Sequence, residues 1–292
     1  MLQQLANGLF AGSIYALFAI GFTLVFGILR HLNLAHAAIF TTGGFLSVDL
    51  ISRQGLPIWL AFPLVMLAGG LIGLLLERIA FRPLAGRPDE HFAGLISSVA
   101  FGGMLIALVQ ARYGTEQQSI SSEAFPNEVY TVAGVSISLA QLTTLGLALV
   151  LMLGLAWVVA ATPLGRAMRA VAENARAARV LGINVERVTA STYALSSALG
   201  AMAGMLMVLN VGQGDLGMGL AIELTGFAVI ILGGMGSLWG AMAAGLILGL
   251  AEALTIHHIG SSWKDVVAFG LLFAILLVRP QGLFGTIKAR EV

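Results

Sequence analysis

The chain has 292 residues, a formal net charge of +1, 58% hydrophobic and only 10% charged residues, and no cysteine. This excludes a disulfide framework and thiol chemistry. It also sits far from a water-soluble domain, in which about a quarter of residues are charged. The stretches 1–29, 54–76, 91–111, 129–165, 188–214 and 224–251 contain no Asp, Glu, Lys or Arg. A bilayer imposes that pattern, because an ionised side chain at its centre costs about 2.5–3.5 kcal/mol on insertion scales.

The apolar runs are long and continuous. They do not alternate over about ten residues as β-barrel strands do, so they read as helices. The 37 glycines suit close helix–helix approach. The expected fold is all-α: one polytopic transmembrane helix bundle over 1–292. Its nine hydrophobic segments lie at about 8–29, 35–52, 57–78, 91–112, 138–161, 188–211, 220–232, 238–256 and 264–279. The first lacks the basic flank of a cleaved signal peptide and reads as a retained membrane helix. The seventh is too short to span upright, so it either spans at a cost or dips back, and eight or nine full spans are expected.

The second segment, LNLAHAAIFTTGGF (32–45), places Asn33, His36, Thr41, Thr42, Gly43 and Gly44 at one end of an apolar run. The stretch ELTGFAVIILGGMGSLWGAMAAG (223–245) contributes Gly233, Gly234, Gly236, Ser237 and Gly240. Short or Gly-broken helices are the best sequence pointer to a transport path, because freed backbone groups can face a polar solute. Close packing is the alternative, and it is the commoner role for any single glycine. AGGLIGLLLE (68–77) resembles AAGLILGLAE (243–252). Segments 1–4 would then correspond to 6–9 in inverted orientation. Chance similarity in a chain rich in Gly, Ala and Leu is the competing account.

The basic residues fall in alternate gaps. Arg30, Arg78, Arg82, Arg87, Arg166, Arg169, Arg176, Arg179, Arg187, Arg279, Lys288 and Arg290 take one side, and Arg53, Arg112 and Lys264 the other. Twelve of fifteen on one side is a strong positive-inside signal, which puts the N-terminus outside and the C-terminus in the cytoplasm. The long outer loop, about 113–137, carries Glu123 and Glu128 and no Lys or Arg. The long inner loop, TPLGRAMRAVAENARAARVLGINVERV (about 162–188), opens with Thr162-Pro163, a good helix start, and is stopped by Gly182. Helical periodicity from Leu164 to Leu181 lines Met168, Val171, Ala172, Ala175 and Ala178 on one face. That face is too small to insert well in lipid and suits docking against a protein groove.

Asp215, Glu223 and Glu252 are expected near outer ends, solvated at the interface. Glu77 is expected to pair with Arg78, and His36 to be a hydrogen-bonded packing residue. No two carboxylates share a mid-span face, which weakens an ion-coupled carrier or stand-alone channel. His257-His258 with Asp265 is thin material for an enzyme. Neither H-E-x-x-H nor a P-loop occurs: the lysines are Lys264, before Asp265, and Lys288, before Ala289. Catalytic residues, a bound metal and a bound cofactor are therefore not expected.

The inner loop, LNLAHAAIFTTGGF and GGMGSLWGAMAAGLILGLAE, with RPQGLFG (279–285) near the end, together resemble the integral-membrane permeases of bacterial branched-chain amino acid ABC importers, the shorter LivH type. The resemblance covers nearly the whole chain. It implies a second, longer permease, two cytoplasmic ATPases that use the ATP, a periplasmic substrate-binding protein, a bacterial inner membrane and no nucleic acid. Loop 162–188 would be the coupling helix, with Arg166, Arg169, Glu173, Asn174, Arg179 and Gly182 at the ATPase contact. The path would run near Asn33, His36, Thr41, Thr42, Gly43, Gly44, Gly233, Gly234, Gly236 and Ser237. Relatives also carry urea, amides and aromatic or other carboxylates, so the solute stays open.

Overall fold

The structure is a computed structural model that describes residues 1–120, 128–132 and 134–285. Glu123, Lys288 and Arg290 lie outside the described residues. Every hydrophobic segment becomes a helix: α1 (Leu2–Leu29), α2 (Ala35–Val48), α3 (Ile58–Leu76), α4 (Glu90–Tyr113), α5 (Leu139–Ala161), α8 (Val185–Val211), α9 (Met218–Gly233), α10 (Leu238–His258) and α11 (Lys264–Val278). Between α5 and α8 lie two short helices, α6 (Pro163–Glu173) and α7 (Ala175–Val180). Seven helices among the described residues are long and apolar enough to cross a membrane. The number is seven rather than eight or nine because α2 and α9 fall short. At 1.5 Å per residue their 14 and 16 residues reach about 21 and 24 Å, against a hydrocarbon core of about 30 Å. A π-helical turn, Asp49–Arg53, extends α2 at its far end.

Both short helices begin inside the bundle. Ala35 lies against Gly102, midway along α4, and the His36 ring lies against Gly200, midway along α8. The start of α9 meets the same level, since Gly219 abuts the Ala37 carbonyl and the Thr41 hydroxyl. The N-terminal ends of α2 and α9 thus meet near mid-depth, and the helices run from there to opposite ends of the bundle.

An inverted repeat explains this arrangement. Helix α1 packs antiparallel on α10 as α8 packs antiparallel on α3: Gly8 and Gly12 face Gly249 and Gly245, while Gly69 and Gly73 sit on Ser197, Ala201 and the Tyr193 carbonyl. Helix α1 also packs on α9 as α8 packs on α2, and α2 on α4 as α9 on α11. The sequence carries the same relation in SIYAL (13–17) and STYAL (191–195), beside the match already noted between α3 and α10. At these seams backbone meets backbone. A Cβ on Gly204 would come within 1.9 Å of the Phe40 carbonyl oxygen, so only glycine admits the approach.

Two small antiparallel pairings sit at the end away from α6. Strand β1 (Gln118–Ser119) pairs with β4 (Gln213–Gly214), tying the α4 exit to the α8 exit. Strands β2 (Val129–Val132) and β3 (Val135–Ser138) form a hairpin. It is clamped to the start of α1 by Gln3, whose side chain donates to the Ser136 carbonyl and accepts from its N–H, each at 2.8 Å. Ser138 then opens α5 with a capping box to Gln141.

Candidate functional site

The α6–α7 elbow is built by three side-chain caps. The Thr162 hydroxyl accepts from Gly165 N–H at 3.1 Å, with Pro163 in the first turn. Asn174 adopts an extended backbone and its carbonyl oxygen accepts from Arg176 and Ala177 N–H, each at 3.0 Å. Asn184 starts α8 in the same way, through Arg187 N–H at 3.0 Å. The single helix expected over 164–181 is therefore two helices, because Asn174 caps a new one inside the periodic stretch. Gly182, at φ +84°, ends α7 as expected.

The apolar face of this elbow points inward, not toward a partner. Met168, Val171 and Ala178 are buried against Ile28 and Leu29 of α1, Val159 of α5 and Leu195 of α8. Ala172 is half-buried and Ala175 exposed. Arg166 donates to the Ala161 carbonyl at 3.3 Å, and Arg169 to the carbonyls of Ala160, at 3.2 Å, and Val159. Both arginines thus complement the C-terminal end of α5, where a cation is favourable. The outward surface is formed by Glu173, Asn174, Arg176, Arg179, Val180, Leu181 and Gly182. Val180 is 88% exposed and Leu181 80%, two large apolar side chains framed by charge at the tip of the elbow. The periodicity argument missed them because they lie past the face it selected.

Beside the elbow a polar network ties the start of α8 to the end of α3. Arg82, after α3, pairs with Glu186 of α8 at 2.6 Å and with Glu77 at 3.7 Å. Glu77 therefore takes Arg82 as its ion-pair partner, not Arg78. Next to it His31 contacts Glu90 at 3.3 Å and the Tyr193 hydroxyl at 3.2 Å, and stacks on Phe81. Burial lowers the His31 pKa, outweighing the pull of Glu90 toward the charged form.

Two cavities collect several of the path candidates. One, of about 650 Å³, lies beside α6 between α1, α5 and the α9–α10 break, and Gly236, Ser237, Arg169 and Glu173 line it. The other, of about 360 Å³, lies where α2, α4 and α9 meet, and Thr41 and Glu223 line it. The remaining candidates pack. His36 is buried and bonds the Phe18 carbonyl at 3.2 Å, as expected of a packing histidine. Asn33 accepts from Ala35 N–H at 3.2 Å, and Thr42 donates to the Ala38 carbonyl at 2.7 Å. Gly43 and Gly44 sit on α8 and Met218, and Gly233 on Gly240. Gly234, at φ +99°, lies against Gly285. Ser237 caps α10 through Gly240 N–H at 3.1 Å.

Two carboxylates are not where interfacial solvation would put them. Glu252 is only 5% exposed and accepts from the Tyr15 hydroxyl at 2.8 Å. Glu223 lines the mid-depth cavity, because α9 begins inside the bundle rather than at its surface. The signal that could have found the first pair is the SIYAL/STYAL repeat, which aligns Tyr15 with Tyr193 just as the other match aligns Glu252 with Glu77.

A bundle of inverted halves, with two helices that start at mid-depth and a capped elbow projecting from one end, is the architecture of a multi-pass transport permease. Residues 4–276 match the family described as branched-chain amino acid transport system / permease component. The chain is 36% identical over 305 residues to the high-affinity branched-chain amino acid transport system permease protein BraD of Pseudomonas aeruginosa, covering 100% of this chain and 98% of that protein. It is 34% identical over 309 residues to LivH of Escherichia coli, a permease protein of the same description, covering 100% and 97%. Among solved structures, PsaBC from Streptococcus pneumoniae in complex with Fab aligns with a TM-score of 0.51 at 15% identity, over 94% of this chain and 91% of that one, and so shares the fold. The chain belongs to the branched-chain amino acid permease family.

Proposed function

We propose that this chain is one of two permease subunits of an ABC importer in a bacterial inner membrane, and that it carries branched-chain amino acids. Its N-terminus faces outward and its C-terminus the cytoplasm. A second permease completes the path, two separate ATPases drive it, and an outer binding protein delivers the solute. The observation that carries this reading is the elbow. It is stiffened by three caps, anchored through Met168 and Val171, and tipped by Val180 and Leu181 among Glu173, Arg176 and Arg179. Exposed apolar knobs ringed by charge suit a groove on a protein. The Arg-rich ends of the helices on that side agree with a cytosolic location.

In this mechanism ATP binding closes the ATPase pair and moves the elbow. The Arg82–Glu186 and Arg82–Glu77 pairs carry that displacement into α8 and α3, and the Arg166 and Arg169 contacts carry it into α5. The two permeases then switch the side on which the path is open.

Single cysteines suit a test, since the chain has none of its own. A cysteine at Glu173 should react with an impermeant maleimide in inverted vesicles and not in intact cells; labelling from outside would overturn the topology. Val180→Asp with Leu181→Asp should cut substrate-stimulated ATP hydrolysis by about tenfold or more, the loss expected of a buried docking anchor, with normal membrane insertion. Unchanged stimulation would remove the coupling role.

A further inference from the structure

The 360 Å³ cavity has the composition of a site for one particular chemistry. Glu223 is the one ionisable residue among those that line it. Its Oε1 is enclosed and has no hydrogen-bond partner. Across from it Thr41 donates its hydroxyl hydrogen to the Ala37 carbonyl at 3.2 Å, which leaves the oxygen lone pairs as acceptors. The side chains of the cavity therefore offer acceptors and one negative charge. The other walls are small or aliphatic: Leu34, Ala37 and Ala38 of the α2 end, Gly102 and Ile106 of α4, and Leu220 of α9.

A carboxylate inside a membrane bundle is retained at a cost and normally has a cation, a proton or water as partner. Among the described residues no Lys or Arg lines this cavity, so a solute can supply the cationic partner. The two helices that begin at the cavity, α2 and α9, also present their N-terminal ends there; the Leu34, Ala35 and Gly217 N–H groups are already held by Ser98, Asn33 and Asp215, so these ends offer a solute anion their dipoles rather than free donors. A lone carboxylate, an adjacent anion-favouring end and an aliphatic wall match the three parts of a zwitterionic aliphatic amino acid. A dicarboxylate would be repelled by Glu223, and a neutral amide would leave its charge unpaired.

We propose that Glu223 receives the α-ammonium group of an aliphatic amino acid at mid-depth in the path, with Thr41 as a second acceptor and the first turns of α2 and α9 facing the α-carboxylate. This rests on the reading of the chain as an amino-acid permease. It assigns to the permease itself a recognition step for the backbone groups of the solute, with the side chain lodged on Ala37, Ala38 and Ile106.

The first test needs only the full chain in detergent. Dicyclohexylcarbodiimide should modify Glu223, as read by peptide mass spectrometry. L-Leucine and isoamylamine, which keeps the ammonium and loses the carboxylate, should slow the modification about fivefold or more, while 4-methylpentanoate, which lacks the amine, should not. No protection by leucine and isoamylamine, or equal protection by 4-methylpentanoate, overturns the assignment. The second test uses the assembled importer in proteoliposomes. Glu223→Gln should lower leucine uptake by about tenfold or more, the loss of one charged hydrogen bond, and Thr41→Val by about threefold. Glu223→Asp should recover part of the uptake. Wild-type uptake by Glu223→Gln overturns the proposal and leaves the permease reading intact. A wild-type importer that takes up no leucine refutes the amino-acid reading instead.

Discussion

The two inverted halves use the same residues and wire them differently. In one, Tyr15 of α1 donates to Glu252 of α10 at 2.8 Å and closes a buried pair near the far end of the bundle. In the other, Tyr193 of α8 turns to His31, while its counterpart carboxylate, Glu77, turns to Arg82 and so joins the network that reaches Glu186 beside the elbow. One repeat-related seam position differs as well, although Gly69 and Gly73 sit as tightly on α8 as Gly245 does on α1. A Cβ on Gly245 would stand 2.6 Å from the Ala16 backbone, whereas on Gly70, its repeat partner, the nearest atom is the Ala194 carbonyl oxygen at 3.5 Å. One copy of the motif is a closed pair and the other opens into a wider polar network. The lesson is that the two halves share an architecture and differ in how their matched polar residues are paired.

The comparison of seams gives the largest expected effect. Gly245→Val should destabilise the protein by about 3 kcal/mol, because backbone rather than a yielding side chain stands in the way. Gly70→Ala should be neutral or stabilising by about 0.4–1 kcal/mol, since the space exists and the unfolded chain loses freedom. Denaturation in detergent, followed by tryptophan fluorescence, measures both; equal losses would erase the distinction between the halves. Next is Tyr15→Phe, which leaves Glu252 buried without its donor and should cost about 2 kcal/mol in the same assay, against about 1 kcal/mol for Tyr193→Phe, whose hydroxyl serves a histidine.

A smaller effect concerns pH. Burial holds the His31 pKa below its ordinary value, so the unfolded chain binds the proton at higher pH than the folded one. The contribution of this site is complete above about pH 6.5 and is lost as pH falls from there toward the lowered folded value. Melting temperature should drop in that window, and His31→Gln should flatten the drop. A profile that is flat in the wild type would show that His31 is not held neutral. The smallest effect on stability belongs to Val180→Ser with Leu181→Ser, within about 0.5 kcal/mol because both side chains face solvent. Co-purification of the ATPase should nevertheless be lost; a large fall in stability would instead place these residues in the bundle.

Much of the fold was legible along the chain. Charge-free runs marked the helices, because insertion into hydrocarbon acts on each segment locally. The elbow was legible as an element, through Thr162-Pro163 and Gly182. Which of its faces is buried was not. Periodicity reports which residues share a face and is silent on whether that face meets a partner or the protein's own helices, so Met168 and Val171 were read outward when they point in. The short seventh segment announced itself by length, while α2 hid behind an apolar continuation to Ile51.

By itself, the sequence determined the class of solvent this protein folds in and the placement of its helices, and it left the repetition of its halves open against chance. The first two follow from hydrophobicity read segment by segment. Only the tertiary structure decided where α2 and α9 begin, which carboxylates are enclosed, and which partner each takes. Depth in the bundle and pairing across helices distant in sequence are set by how backbones stack at the glycine seams, so Glu223 reads as a surface residue in the chain and lies beside a cavity in the fold.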